Sequence, residues 1–301
     1  MNRKKRIFVV VCAASLLMCL GACRDVPWMG GSSAPASSAA PLEQPEQLQL
    51  PNADDTIAVL HTSLGDIVIR LFPEVAPKAV DNFQRLIRSG YYNNLLFHRV
   101  EADTRIQSGD PTGTGLGGES ASGTPFADEF SDQLLNLRGA VAMASDAPDS
   151  NGSQFFINTR LPALCADVRK ETEQAYADHL ANAEEARGYY QTVYDRHQAE
   201  LAAQYPTFDA FFEAQYGQIT DPEKVPEKVW KYYETYGGNL AFDGAFRKIG
   251  GSTVFGQVIS GMEIVDAIAA LKTDEAQKPL TDVTIISAEL PTYAAWKAAQ
   301  A

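Results

Sequence analysis

From residue 56 onward the chain alternates short β-branched runs with turn residues. Thr56 to Thr62 and Gly65 to Phe72 are two such runs separated by a Ser-Leu-Gly turn, the pattern of a β-hairpin. Ala79, Val80, Phe83, Leu86 and Ile87 then follow 3–4 spacing between Pro77 and Ser89-Gly90, which predicts a helix with a glycine C-cap. Further short runs lie at Leu95 to Val100, Gly139 to Ser145, Gln154 to Thr159, Val254 to Ile259 and Val283 to Leu290. Between the last two, Met262, Ile264, Val265, Ile268, Ala269 and Leu271 predict a second amphipathic helix. Many short strands with two helices predict a mainly β fold, a closed antiparallel barrel capped by the helices.

Residues 162–238 break this rhythm. They are rich in Ala, Glu, Gln and Tyr and predict an inserted α-helical segment. Tyr176, Leu180, Ala183, Arg187, Tyr190, Tyr194, His197 and Leu201 trace one helical face, and a later helix carries Val225, Val229, Trp230 and Tyr233 between Asp221-Pro222 and Gly237-Gly238. Without the insertion, residues 56–161 and 239–290 form a core of single-domain size, followed by a tail at 291–301.

The beginning of the chain has another character. Met-Asn-Arg-Lys-Lys-Arg precedes an apolar run from Ile7 to Leu20, too short for a comfortable membrane span, which reads as a secretory signal peptide over residues 1–22. Leu20-Gly21-Ala22-Cys23 resembles a bacterial lipobox, which implies a lipid on Cys23 and anchoring to the outer face of a bacterial cell membrane. Cleavage to a soluble secreted form is the alternative. Residues 23–55, rich in Ser, Ala, Pro, Gly and Gln, read as a flexible tether. Cys12, Cys19 and Cys23 crowd the first 23 residues and only Cys165 lies in the body, so no internal disulfide framework is expected.

The formal net charge is −13, and removing residues 1–22 takes away Arg3, Lys4, Lys5 and Arg6 but no acid, leaving −17. Such a chain lacks the overall basic balance expected of a nucleic-acid binder, and a lipid rather than electrostatics would hold it to an anionic membrane.

Three blocks stand out: Phe97-His98-Arg99-Val100, Gln107 to Gly115 (Gln-Ser-Gly-Asp-Pro-Thr-Gly-Thr-Gly), and Asn151 to Asn158 (Asn-Gly-Ser-Gln-Phe-Phe-Ile-Asn). Together with Met143-Ala144, Phe242-Asp243-Gly244 and Phe255-Gly256-Gln257-Val258, they resemble the cyclophilin family of peptidyl-prolyl isomerases over the whole core. The resemblance implies an eight-stranded barrel with two capping helices, a groove for substrate proline on its outer face, no cofactor and no metal. The implied partners are proline-containing unfolded or extended polypeptides met by a monomer.

Rotation about a peptide C–N bond is opposed by roughly 18–20 kcal/mol, and X-Pro bonds relax over tens to hundreds of seconds. A catalyst must favour the twisted amide, whose nitrogen regains a lone pair. The resemblance assigns that donor to Arg99, with Gln107 holding the arginine or the substrate carbonyl. A guanidinium stays protonated, which predicts a rate nearly flat in pH through neutrality. Phe97, His98, Ala144, Ser145, Gln154, Phe156 and Phe242 are the implied substrate-binding set. Strand alternation puts Phe155 and Phe156 on opposite faces, and with Phe156 in the groove the resemblance implies, Phe155 is assigned inward.

The chain departs from the family pattern at Thr104 and Arg105, where an aromatic and a methionine line the proline pocket. It also departs at Ala241, where many members have tryptophan, and at Ser252, where a histidine often sits. Losing apolar wall predicts weaker substrate grip and reduced activity, and the absent tryptophan weakens the expectation of cyclosporin binding.

Rival readings are weaker. Gly113 to Gly118 satisfies the G-x-G-x-x-G pattern, but no apolar helix follows. His98, Ser153 and Asp110 would make a hydrolase set without its G-x-S-x-G elbow, and His179 and His197 lack metal-ligand spacing. The serious alternative is a cyclophilin-like chaperone with little catalysis, holding unfolded chains on the aromatic insertion. Against it, Tyr189, Tyr190, Phe211, Phe212 and Trp230 could simply pack the inserted helices.

Overall fold

The computed structural model describes residues 42–300. The predicted signal peptide, Cys23 and the first part of the tether lie outside the described residues. Among the described residues nine strands form one antiparallel sheet: β1 (Ile57–Thr62), β2 (Gly65–Leu71), β3 (Leu95–Leu96), β4 (Arg99–Glu101), β5 (Arg105–Ser108), β6 (Ala140–Met143), β7 (Phe155–Asn158), β8 (Val254–Ser260) and β9 (Thr284–Glu289). Their order is β3-β9-β1-β2-β8-β6-β7-β5-β4.

This corrects the expected eight-stranded closed barrel. The run from Leu95 to Val100 is two strands, because Phe97 turns into the core at 1% exposure and divides the pairing. β3 pairs with β9 while β4 pairs with β5. These end strands of the sheet are neighbours in sequence. The remaining seam is crossed by Phe97 N donating to Val283 O at 2.9 Å and Val100 N donating to Gln277 O at 2.8 Å.

The interior is filled by alternate strand residues, among them Leu60, Ile69, Ile106, Val141, Phe155 and Phe255. Helix α1 (Pro77–Arg88) covers one opening, its Phe83 ring 5.4 Å from Phe155 and 5.0 Å from Phe255. Helix α6 (Met262–Ala269) contributes Val265 and Ile268 to the same core.

The fold is mixed α/β rather than mainly β. Between β7 and β8 lie α2 (Val168–Ala181), α3 (Ala183–Leu201), α4 (Phe208–Tyr216) and α5 (Glu227–Tyr236). The single face traced from Tyr176 to Leu201 is broken: α2 ends at Asn182, whose side-chain amide donates to Asp178 O at 2.8 Å, and Leu180 is left 58% exposed. Tyr194 is the buried member of α3, and Tyr190, Tyr194, Phe211, Phe212 and Tyr216 pack on one another, mostly edge-to-face. Val229, Trp230 and Tyr233 of α5 anchor the insertion against Leu135, Leu137, Leu240 and Phe246.

Both ends of the described chain are more ordered than the sequence suggests. Residues 46–55, read as tether, are docked: Gln47 is 1% exposed, its amide donates to Leu135 O at 2.8 Å and Gln257 Oε1 at 2.9 Å, and its oxygen accepts from Leu135 N. The predicted tail contains α7 (Tyr293–Ala299), capped by Thr292 and packed through Tyr293 and Trp296 on Ile57, Val59 and Val68.

Candidate functional site

The outer face of the sheet between β4 and β8 carries the candidate chemistry. Register places Arg99 opposite Gln107, Gln107 opposite Phe156, Phe156 opposite Ala142, and Ala142 opposite Val254. One row thus runs from a guanidinium through an amide to an apolar stripe, to which Phe72, Leu134, Ala144 and Phe242 also belong. Phe155 points into the barrel and Phe156 into this stripe, 5.3 Å from the Phe242 ring in edge-to-face contact.

Arg99 is held from the side. Its Nε donates to Gln277 Oε1 at 2.8 Å and its Nη2 to Glu101 Oε1 at 2.7 Å. Its side chain keeps 37% exposure, and among the described residues Nη1 has no hydrogen-bond acceptor. Sequence reasoning missed both partners. Gln277 stands 178 positions away in a loop with left-handed φ of 63°, and Glu101 is an ordinary acid until β4 and β5 pair.

Several expected roles are changed. Gln107 does not hold Arg99: its Nε2 donates to Gln154 Oε1 at 2.8 Å, and its own Oε1 is buried and unpartnered. Gln154 in turn donates to Gly115 O at 3.0 Å and Gly117 O at 2.8 Å, so it fastens the 113–117 loop to the sheet. Phe97 belongs to the barrel core, because its position at the break between β3 and β4 turns it inward. His98 is 5% exposed under Gly115 with neither nitrogen hydrogen-bonded, and burial pushes its pKa below the ordinary value. Phe97 and His98, expected among the substrate-binding set, are thus both buried in the described structure. Ala144 and Ser145 are half-buried at the end of β6, where Ala144 N donates to Gln154 O at 3.0 Å.

The position expected to be an eroded wall is filled. Arg105 lies with its guanidinium carbon 5.0 Å from the Phe156 ring centre and 5.1 Å from that of Phe242, and its Nε donates to Glu101 Oε2 at 2.5 Å. Burial lowers its pKa, a tendency opposed by the adjacent Glu101. One carboxylate thus ties Arg99 to Arg105.

The rivals lose their geometry. The G-x-G-x-x-G loop wraps a carboxylate of its own: Asp110 accepts from Thr112, Thr114, Gly115 and Gly117 amides. Burial would raise the Asp110 pKa, but these bonds outweigh it and leave the group below its ordinary value. Ser153 donates to Gly109 O at 2.6 Å rather than to a histidine, across a backbone approach where a Cβ on Gly109 would sit 2.4 Å from Ser153 O. His179 stacks on Tyr216 and His197 faces Glu200.

The family model described as "Cyclophilin type peptidyl-prolyl cis-trans isomerase/CLD" matches residues 57–171 and 230–290. A protein of Staphylococcus saprophyticus is 35% identical over 239 residues, covering 79% of this chain and 93% of that protein. One of Staphylococcus aureus is 37% identical over 232 residues, covering 77% and 90%. Both bear the name "Putative peptidyl-prolyl cis-trans isomerase". The crystal structure of a cyclophilin type peptidyl-prolyl cis-trans isomerase from Cryptosporidium parvum aligns over 79% of this chain and 97% of that one, at 25% identity and a TM-score of 0.48.

Proposed function

This chain belongs to the cyclophilin family of peptidyl-prolyl cis-trans isomerases, and on that premise we propose that it turns X-Pro bonds of unfolded or extended polypeptides by hydrogen bonding from Arg99 to the prolyl nitrogen. The observation that carries the reading is the row Arg99–Gln107–Phe156–Ala142, a guanidinium edge on an apolar outer stripe. Phe156 and Ala142 are themselves buried, so the proline ring would rest against the half-buried edge of the stripe at Ala144 and Phe242, with its imide toward the Arg99 fork. As the amide twists, the nitrogen lone pair is freed and the donor binds the twisted state better than either planar one, which is what lowers the barrier. No proton moves. Gln277 and Glu101 fix the fork in place, so its orientation need not be found anew at each turnover.

The setting proposed is outside the cytoplasm, on a lipid at Cys23, where emerging chains carry slow prolines. The support is the basic start, short apolar run and Leu-Gly-Ala-Cys sequence. Mass analysis of the mature N-terminus, with and without a lipoprotein-signal-peptidase inhibitor, tests it. A diacylated Cys23 is expected, and an unmodified N-terminus elsewhere would refute it. The isomerase reading is tested by comparing wild type with Arg99→Ala on a proline peptide. Of the insertion aromatics, Phe211 and Trp230 are buried at 5% and 2% exposure, Tyr190 and Phe212 are half-buried, and Tyr189 is 49% exposed, so packing accounts for most of them and Tyr189 is the one open to a bound chain.

A further inference from the structure

Over the Phe156 and Phe242 rings lies a cation belonging to the chain itself, the Arg105 guanidinium, and the charges beside it do not balance. Arg99 and Arg105 share a single carboxylate, Glu101. Behind Phe242, Arg247 donates from Nη1 to Ala241 O at 2.9 Å, while its Nε is buried without a partner. Asp243 faces Arg247, so the unbalanced charge is that of the Arg99–Glu101–Arg105 set, two guanidiniums on one carboxylate within a protein of net charge −13.

We propose, resting on the isomerase reading, that Arg105 is a specificity-determining residue that directs this site toward prolines flanked by an acidic residue. A peptide lying over β4 and β5 removes water from Arg99, Glu101 and Arg105 together. In that drier setting two guanidiniums and one carboxylate are left with a positive excess, which a neutral peptide cannot offset. An Asp or Glu beside the proline supplies the missing anion. It meets the outward edge of Arg105, whose Nε is already engaged by Glu101 and whose plane is fixed against the two rings. A lysine in the same place adds to the excess. Specificity arises because the site holds a buried group that only one class of substrate satisfies.

The test is the rate of cis/trans exchange, read by NMR, for Ala-Ala-Pro-Ala and for peptides with Glu or Lys immediately before or after the proline. Wild type is expected to turn over one of the Glu peptides at least ~5-fold faster than the neutral one, with the Lys counterpart slower and the difference reduced by salt. Arg105→Met, which restores an apolar wall, should erase the preference. Glu101→Gln, which leaves both guanidiniums without their carboxylate, should widen it.

A wild type indifferent to peptide charge, or a preference that survives Arg105→Met because every peptide changes by the same factor, would overturn the inference. If wild type and Arg99→Ala were both at background on every peptide, the isomerase reading would be the one to fail. Amide shift titrations on the same samples would then still decide the selectivity, by whether Glu peptides bind more tightly and lose that advantage in Arg105→Met.

Discussion

The Nε of Arg99 donates to the side-chain oxygen of Gln277 at 2.8 Å, joining β4 to a loop 178 positions further along the chain. The same loop residue accepts Val100 N through its backbone carbonyl, so it both crosses the seam of the sheet and aims the guanidinium. Gln277→Asn retains tolerance of the left-handed backbone but falls short of Arg99. We expect kcat to drop several-fold, with the thermal midpoint little changed and the seam intact. An unchanged kcat would mean that Glu101 alone suffices to orient the fork.

The two adjacent phenylalanines of β7 should separate stability from activity. Phe155 lies among Phe83, Tyr92 and Phe255 inside the barrel, and Phe156 lies under Arg105 and Phe242 outside it. Phe155→Leu is expected to destabilise by about 1–2 kcal/mol in denaturant titration while kcat/KM holds. Phe156→Leu is expected to raise KM with a smaller loss of stability. Reversed outcomes would place the substrate on the wrong face of the sheet.

Asp243 is enclosed by the Tyr233 hydroxyl, Asn136 N at 2.7 Å and Asn136 Nδ2 at 2.8 Å. Burial pushes its pKa from 3.8 up to about 7, against the pull of those donors and of Arg247. Since the folded state holds this proton more tightly than the unfolded chain, the associated stability is full below about pH 4 and is lost as pH rises through 7. Relative to Asp243→Asn, wild type should lose on the order of a few kcal/mol between those limits, measured by denaturant midpoints. Parallel pH curves for the two proteins would contradict this assignment.

Gln47 gives a test of the docked N-terminal strap. Its amide satisfies both Leu135 N and Leu135 O in a buried place. Gln47→Ala should destabilise by about 1–3 kcal/mol, since both groups lose their partner. A change within error would mean that residues 46–55 behave as the tether their composition suggests.

What the sequence made legible were the features with short-range signatures. The β1–β2 hairpin, α1, α6 and the inward Phe155 each follow from a period of two or of 3.6 over a few residues. The blocks around Arg99, Gln107 and Phe156 were recognisable because glycines and polar groups at fixed spacing allow close backbone approach, as Gly109 does against Ser153. What escaped depends on pairing between distant positions. Gln47 has no apolar period yet is among the most buried residues, because its function is to satisfy one backbone amide and one carbonyl. The division of Leu95 to Val100 into β3 and β4 depends on which strands stand on either side. Arg105 could be read as a lost apolar wall, whereas its stacking on Phe156 and Phe242 needs Glu101 placed opposite by register.

The central claim is that a single hydrogen-bond donor, Arg99, lowers the barrier to rotation about X-Pro bonds. The direct measurement is the cis/trans exchange rate of a proline peptide catalysed by wild type and by Arg99→Ala, with circular dichroism confirming that both are folded. Because Arg99 is partly exposed and its removal leaves no cavity in the barrel core, the variant should fold. Its kcat/KM is expected to fall about a hundred-fold or more, the usual consequence of removing one donor aimed at the reacting atoms. A folded Arg99→Ala protein that catalyses as fast as wild type would contradict the account.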